Sequence, residues 1–244
     1  MTKSTLTKIL LNCCTHGDEM IGKFIFDNFC YGSNSHFEWK SLIANPEAMF
    51  LNQRFAEQDL NRSFPGLADG NYEQKRAFKL MEIFPKYDFV IDFHQTFAQM
   101  EDCVFISKSS DQILELVQYI KTPKVVFMQD GYENGKCTVA DWTTGFAIEY
   151  ARRASFELDC EVVKEDIENM LNQKQKFINK EFYQMFGRIG KDKQQELALD
   201  WQDWQEISQV DKQKLGLPNE KKLYPIFIGE RAYEQTYCVL VASI

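Results

Sequence analysis

The chain holds three histidines, His16, His36 and His94. Two of them, His16 and His94, follow directly on stretches that read as buried strands. In open α/β sheets the functional crevice lies beyond the carboxyl ends of the strands. Glu19 stands three residues after His16, a spacing that puts both side chains on one face of a tight turn or a first helical turn. Two imidazoles and one carboxylate, with a fourth position left for water, make a metal site of the catalytic kind, since a closed structural site takes four protein ligands. Zinc, one ion per chain, is the expected occupant, and cobalt or manganese accept similar donors. Asp92, two residues before His94 and on the same side of an extended strand, is placed to orient that imidazole. Cys13 and Cys14 are soft donors nearby, although cysteines at strand ends more often pack as small hydrophobes. An H-x-x-E spacing or a strand-end histidine is common in proteins that bind no metal, so the surroundings must carry the case.

Those surroundings read as alternating strands and helices. Residues 6–14 form a nearly unbroken apolar run, as expected of a strand buried on both faces. Met20, Ile21, Phe24, Ile25 and Phe29 then repeat at helical spacing over residues 18–29. Residues 39–44 read as a strand stopped by Asn45-Pro46. Residues 45–70 read as a long polar loop. A helix is expected at 72–84, strands at 87–93, 103–106, 124–128 and 146–150, and a helix at 111–119. Residues 161–186 have the character of one long charged helix. This alternation predicts an α/β fold with a mainly parallel, doubly wound sheet. The composition shifts after residue 186, with short strands expected near 224–228 and 237–241. Residues 1–186 are therefore expected to be the catalytic domain, and residues 187–244 a small β-containing appendage that completes the active-site entrance.

Composition excludes several function classes. The formal net charge of −8 and the absence of any basic cluster argue against a nucleic-acid partner. No apolar run approaches the roughly 20 residues of a membrane span, and the short run Ile9-Leu10-Leu11 is too brief for a signal-peptide core. Seven scattered cysteines without C-x-x-C spacing predict free thiols and a cytoplasmic setting. No feature of the sequence specifies an oligomeric state.

Several segments, in order along the chain, resemble the aspartoacylase and succinylglutamate desuccinylase family, a branch of the zinc carboxypeptidase-like hydrolases. Thr15-His16-Gly17-Asp18-Glu19 is similar to its H-G-(N/D)-E metal motif. Asn45-Pro46, Arg54 and the run Asp59-Leu60-Asn61-Arg62-Ser63-Phe64-Pro65-Gly66 resemble its N-P…R…D-L-N-R-x-F-P-G stretch. Asp92-Phe93-His94-Gln95-Thr96 resembles D-x-H-x-T, Gly145–Glu149 the strand that carries a catalytic Glu, and residues 224–233 the closing segment. The resemblance implies a zinc carboxypeptidase-like fold with zinc held by His16, Glu19 and His94. It makes Glu149 the base that takes a proton from water and hands it to the leaving amine, and Arg54 the cation facing the oxyanion. Asn61 and Arg62 would hold a substrate carboxylate, Asp59 would pair with an arginine, and Tyr233 would close the pocket. The implied reaction is hydrolysis of the amide bond of a small anionic N-acyl amino acid. Desuccinylation of succinylglutamate, cleavage of a peptide and non-catalytic metal binding stand as alternatives. The chain also departs from the family. The region after residue 186 is short, and Tyr150-Ala151-Arg152-Arg153 follows Glu149 where a glycine is usual. Val139 occupies the place of an arginine that aspartoacylases carry about ten residues before the catalytic Glu, with Lys136 or Arg152 as the cations that could replace it.

Overall fold

The computed structural model describes residues 6–128, 136–139, 143–230 and 235–244. The strands, in chain order, are β1 (Thr7–Cys13), β2 (Tyr31–Ser33), β3 (Phe37–Ile43), β4 (Phe89–Thr96), β5 (Cys103–Ile106), β6 (Lys124–Phe127), β7 (Gly145–Ala151), β8 (Glu181–Gly190), β9 (Leu223–Ile226) and β10 (Thr236–Ser243). The helices are α1 (Ile21–Asn28), α2 (Pro46–Leu51), α3 (Tyr72–Ile83), α4 (Asp111–Val117), α5 (Phe156–Asn172), α6 (Lys191–Leu197) and α7 (Gln209–Lys214). All ten strands join one sheet in the order β2-β3-β1-β4-β7-β5-β6-β8-β10-β9. The central run β3-β1-β4-β7 is parallel, as are β5-β6 and β6-β8, whereas β5 runs antiparallel to β7 and the β8-β10-β9 edge is antiparallel. The fold is thus α/β with a mixed, mostly parallel sheet.

Alternation along the strands sends successive side chains to opposite faces. Ile9, Leu11, Ile91 and Phe93 pack with Ile21 and Ile25 of α1, Ile113 of α4 and Val163, Ile167 and Met170 of α5. Leu10 and Val90 face the other way, onto Ala77 and Leu80 of α3 together with Leu60 and Phe64. The same alternation puts Asp92 and His94 on this second face, in register with Ala147 and Glu149 of β7.

Several expectations shift. His94 lies inside β4, which runs to Thr96, rather than beyond its end. Residues 45–70 are not one loop. Asn45 caps α2 by accepting from Ala48 N, with Pro46 at the first helical position, and Asp59 caps a 3₁₀ turn at Leu60–Arg62. Both pieces are too short for periodicity to betray them. The long helix expected at 161–186 is wrong. α5 ends at Gln173, which adopts a left-handed φ of 48°, and the aromatic-rich segment from Phe182 onward becomes β8. The boundary expected near residue 186 therefore falls inside a strand, and the composition shift there marks no break in the sheet. Among the described residues no helix is long and apolar enough to cross a membrane.

Candidate active site

His16, Glu19 and His94 converge at the carboxyl end of the parallel strands. All three are buried, and their ligating atoms lie within 4.8 Å of one another. His16 Nδ1 is 2.6 Å from Glu19 Oε1, and His94 Nδ1 is 3.1 Å from Glu19 Oε2. Each imidazole is held from behind by a carboxylate, His16 Nε2 by Asp59 Oδ1 at 3.2 Å and His94 Nε2 by Asp92 Oδ2 at 2.9 Å. Asp92 is itself fixed, because its Oδ1 accepts from Asn12 Nδ2 and Thr15 Oγ1, both at 2.8 Å. This carboxylate–imidazole arrangement aims both Nδ1 atoms inward, as metal-ligating histidines require.

The electrostatics say the same. Burial opposes charge on either imidazole, yet Glu19 for His16, and Asp92 with Glu19 for His94, raise both above the usual histidine value. Burial likewise works against Glu19, but the two histidines hold its carboxyl far below the usual range. Three carboxylates around two imidazoles form a cluster that gathers positive charge, as protons or as a metal cation. The donor set fits a divalent metal with a position left open. Cys13 and Cys14 take no part. Both are in the apolar core, where burial pushes their thiols up, that of Cys14 to about 12.

The segment between α2 and α3 brings up the cations. Arg54 Nε and Nη2 donate to Asp59 Oδ2 at 3.2 and 3.0 Å, while its Nη1 is 3.9 Å from Glu19 Oε1. Asp59 thus pairs with an arginine, as expected, and also holds a metal-site histidine, which the sequence reading missed. Asn61 Oδ1 accepts from Thr138 N at 2.8 Å and Thr138 Oγ1 at 3.1 Å, which leaves its amide N–H groups for a ligand. Arg62 Nη1 donates to the Asn61 carbonyl at 2.7 Å. Buried Glu73, near the start of α3, organises this segment. Its Oε1 accepts from Ala56 N (2.6 Å) and Asn45 Nδ2 (3.1 Å), and its Oε2 from Glu57 N and Gln58 N (both 3.1 Å). The segment also presses on the His16 turn, for a Cβ at Gly17 would lie 2.0 Å from the Ala48 carbonyl carbon. Only glycine allows that approach.

One cleft of about 690 Å³, part of it open to solvent, is lined by His16, Glu19, His94, Arg54, Asn61, Arg62 and Glu149. Burial, reinforced by Glu19 and Glu230 against the opposing pull of His94 and His16, lifts Glu149 to about 8. The cleft has a second, apolar side built from Phe105, Met128, Cys137, Val139, Met185 and Phe227, which no motif announced. Glu230 lines it too, its Oε2 accepting from Thr96 Oγ1 and from Phe97 N. Residues 224–233 drew attention through Tyr233, which lies outside the described residues. The signal for Glu230 was a carboxylate three positions earlier in the same segment. Neither cation proposed to replace an arginine at 139 reaches the cleft: Lys136 is exposed and Arg152 lines a neighbouring cavity.

Residues 5–160 match the family described as the succinylglutamate desuccinylase/aspartoacylase catalytic domain. The chain belongs to this family. It is similar to a "probable aspartoacylase" of Prochlorococcus marinus (strain NATL1A), at 26% identity over 270 residues, covering 93% of this chain and 88% of that protein. It is also similar to the N-acyl-aromatic-L-amino acid amidohydrolase (carboxylate-forming) of Homo sapiens, at 30% identity over 131 residues, which span 47% of this chain and 41% of that one. In fold it resembles the crystal structure of murine aminoacylase 3, with a TM-score of 0.76 at 20% identity, covering all (100%) of this chain and 97% of that one. That likeness shows a shared fold over the whole chain, the region after residue 186 included.

Proposed function

We propose that this family member is a zinc-dependent enzyme that hydrolyses the amide bond of an N-acyl amino acid bearing one free carboxylate and an apolar side chain. One observation carries the reading: a single cleft combines the His16–Glu19–His94 donors, Arg54, Glu149 and the Asn61–Arg62 pair with an apolar wall. A metal held by the three donors would supply Lewis acidity toward a carbonyl and toward water. Glu149 takes the proton of the attacking water and returns it to the leaving nitrogen, and positive charge held by the triad would favour its carboxylate form. Arg54, fixed by Asp59, faces the oxygen where negative charge develops. Arg62 and the Asn61 amide grip the carboxylate. Val139 lies on the apolar side, where a second carboxylate would find no partner among the described residues. The name of the human relative, which specifies an aromatic amino acid, supports this choice. Seven cysteines that form no disulfide suit a cytoplasmic setting.

The test is metal analysis followed by kcat/KM for N-acetylphenylalanine, N-acetylaspartate, N-succinylglutamate and N-acetylphenylalanine amide. The expected result is about one zinc per chain and a clear preference for N-acetylphenylalanine. A chain that takes up no divalent metal, or that cleaves the carboxylate-free amide equally well, would refute the proposal.

A further inference from the structure

A second cavity adjoins the catalytic cleft, and Gln95 lines both. Its other walls include Asp18 and Met20, before α1, and Arg152, Arg153, Phe156 and Asp159, around the start of α5. Most of the charge there is already satisfied. Arg153 pairs with Asp102 and with Asp159 (3.7 Å), and Asp159 Oδ2 accepts from Gln95 Nε2 at 2.7 Å. Arg152 and Asp18 are different. The Arg152 guanidinium stacks on the Phe97 ring at 3.5 Å, and its Nη2 donates to the Asp18 backbone carbonyl at 3.1 Å. These contacts hold it in place, but no carboxylate among the described residues pairs with it. Among the described residues its Nε–H is buried without a partner, and so is Asp18 Oδ1.

A buried donor and a buried acceptor without partners, on two residues that line one cavity, are an unfavourable arrangement for a folded chain. The donor belongs to a guanidinium, whose matching group is a carboxylate. The acceptor belongs to a carboxylate, whose matching group is an ammonium. Met20 and Phe156 add apolar surface at the rim, 38% and 44% exposed. We propose that this cavity binds a free α-amino acid with an apolar side chain, its carboxylate on Arg152, its ammonium on Asp18 and its side chain against Met20 and Phe156. Gln95 follows His94 directly, so an occupant is one side chain away from the metal cleft. If the reaction proposed above holds, the ligand is of the class the cleft releases; only this link rests on that reading.

The experiment is calorimetric titration of L-phenylalanine into the purified, metal-loaded full chain, beside 3-phenylpropanoate, which lacks the ammonium. L-phenylalanine should bind with one saturable site, and 3-phenylpropanoate about tenfold or more weaker, the loss expected for a charge-assisted contact. Arg152→Met, which keeps the aliphatic stem, should weaken L-phenylalanine by a similar factor. Asp18→Asn should remove most of the difference between the two ligands. Arg62→Ala, in the cleft, should leave the site intact. The inference falls if L-phenylalanine gives no saturable binding, if both ligands bind equally, or if Arg62→Ala abolishes binding while Arg152→Met does not. Should Arg152→Met fail to fold, the two-ligand comparison on the unaltered chain and on Arg62→Ala still decides. Absence of amide hydrolysis would leave the binding result standing, and absence of binding would leave the cleft's chemistry standing.

Discussion

Glu73 is far from the metal ligands in sequence, yet replacing it should disable the site. It is fully buried, and its two oxygens accept four hydrogen bonds, three of them from the backbone N–H groups of Ala56, Glu57 and Gln58. Glu73→Ala removes every acceptor. The three backbone donors lie in a partly exposed segment and can turn to water, so each loses little; Asn45 Nδ2 is buried and cannot. With about 1 kcal/mol for each of the three relieved donors and about 1–3 for the stranded one, the variant should lose roughly 4–6 kcal/mol of stability. Glu73→Gln does not rescue it, because the amide offers N–H groups where two donors already point. The functional effect should exceed the stability effect, since the freed segment carries Arg54 and Asp59, and Asp59 fixes His16. Urea denaturation measures the first quantity; metal affinity and kcat/KM at a temperature where the variant is folded measure the second. A variant within 0.5 kcal/mol of the parent (about the effect of an ordinary surface substitution), with unchanged metal affinity, would show that the segment is held by something other than this carboxylate.

Glu149→Gln should keep the metal and lose about 10²- to 10⁴-fold in kcat; near-normal turnover would move the base elsewhere. Arg62→Ala should mainly raise KM and Arg54→Ala mainly depress kcat, because the first removes ground-state binding and the second a transition-state contact. The opposite split would exchange their roles. Val139→Arg should shift preference from N-acetylphenylalanine toward N-acetylaspartate by placing a cation on the apolar side of the cleft; an unchanged ratio would mean the substrate side chain lies elsewhere. Burial holds Asp166 at about 6, although Lys121 N and the Tyr150 hydroxyl donate to it. The folded chain therefore binds that proton more tightly than the unfolded chain, whose aspartates titrate near 3.9, and stability is lost as pH rises from about 4 to 6. Asp166→Asn should be more stable than the parent by up to about 3 kcal/mol at pH 7.5, with the gap closing toward pH 4; a gap independent of pH would refute the burial argument.

The sequence disclosed those parts of the fold that have a long period or an unbroken apolar run. β1, β4 and β7 are buried on both faces, so their composition alone marks them, and α1 and α3 are amphipathic over two or more turns. Short pieces failed where capping rather than periodicity makes them, as with α2 and the turn at Leu60–Arg62. The charged stretch around residues 172–180 hid the change from α5 to β8, because glutamine and lysine suit a helix as well as a connection. The supposed boundary at 186 had the same origin: a shift in surface composition, within a strand whose pairing continues to β10.

At the candidate site, the groups that converge on the cleft were legible because the expected chemistry restricts their type and spacing, and because the resemblance fixed their order. The groups that position them were not. Glu73 is one glutamate among many until the fold delivers three N–H groups to it, and Glu230 joins Thr96 across 134 residues of sequence. The apolar wall escaped for a deeper reason. Phe105, Met185 and Phe227 belong to the same buried cluster as Val126, Val239 and Val241, so nothing in their type separates a residue that faces substrate from one that faces its neighbours. Only the geometry separates them, and with Val139 among them it supports the proposal of a substrate with one carboxylate. On the proposed reading, the His16–Glu19–His94 donors and Glu149 set the reaction, and the core's exposed edge sets which amino acid it can use.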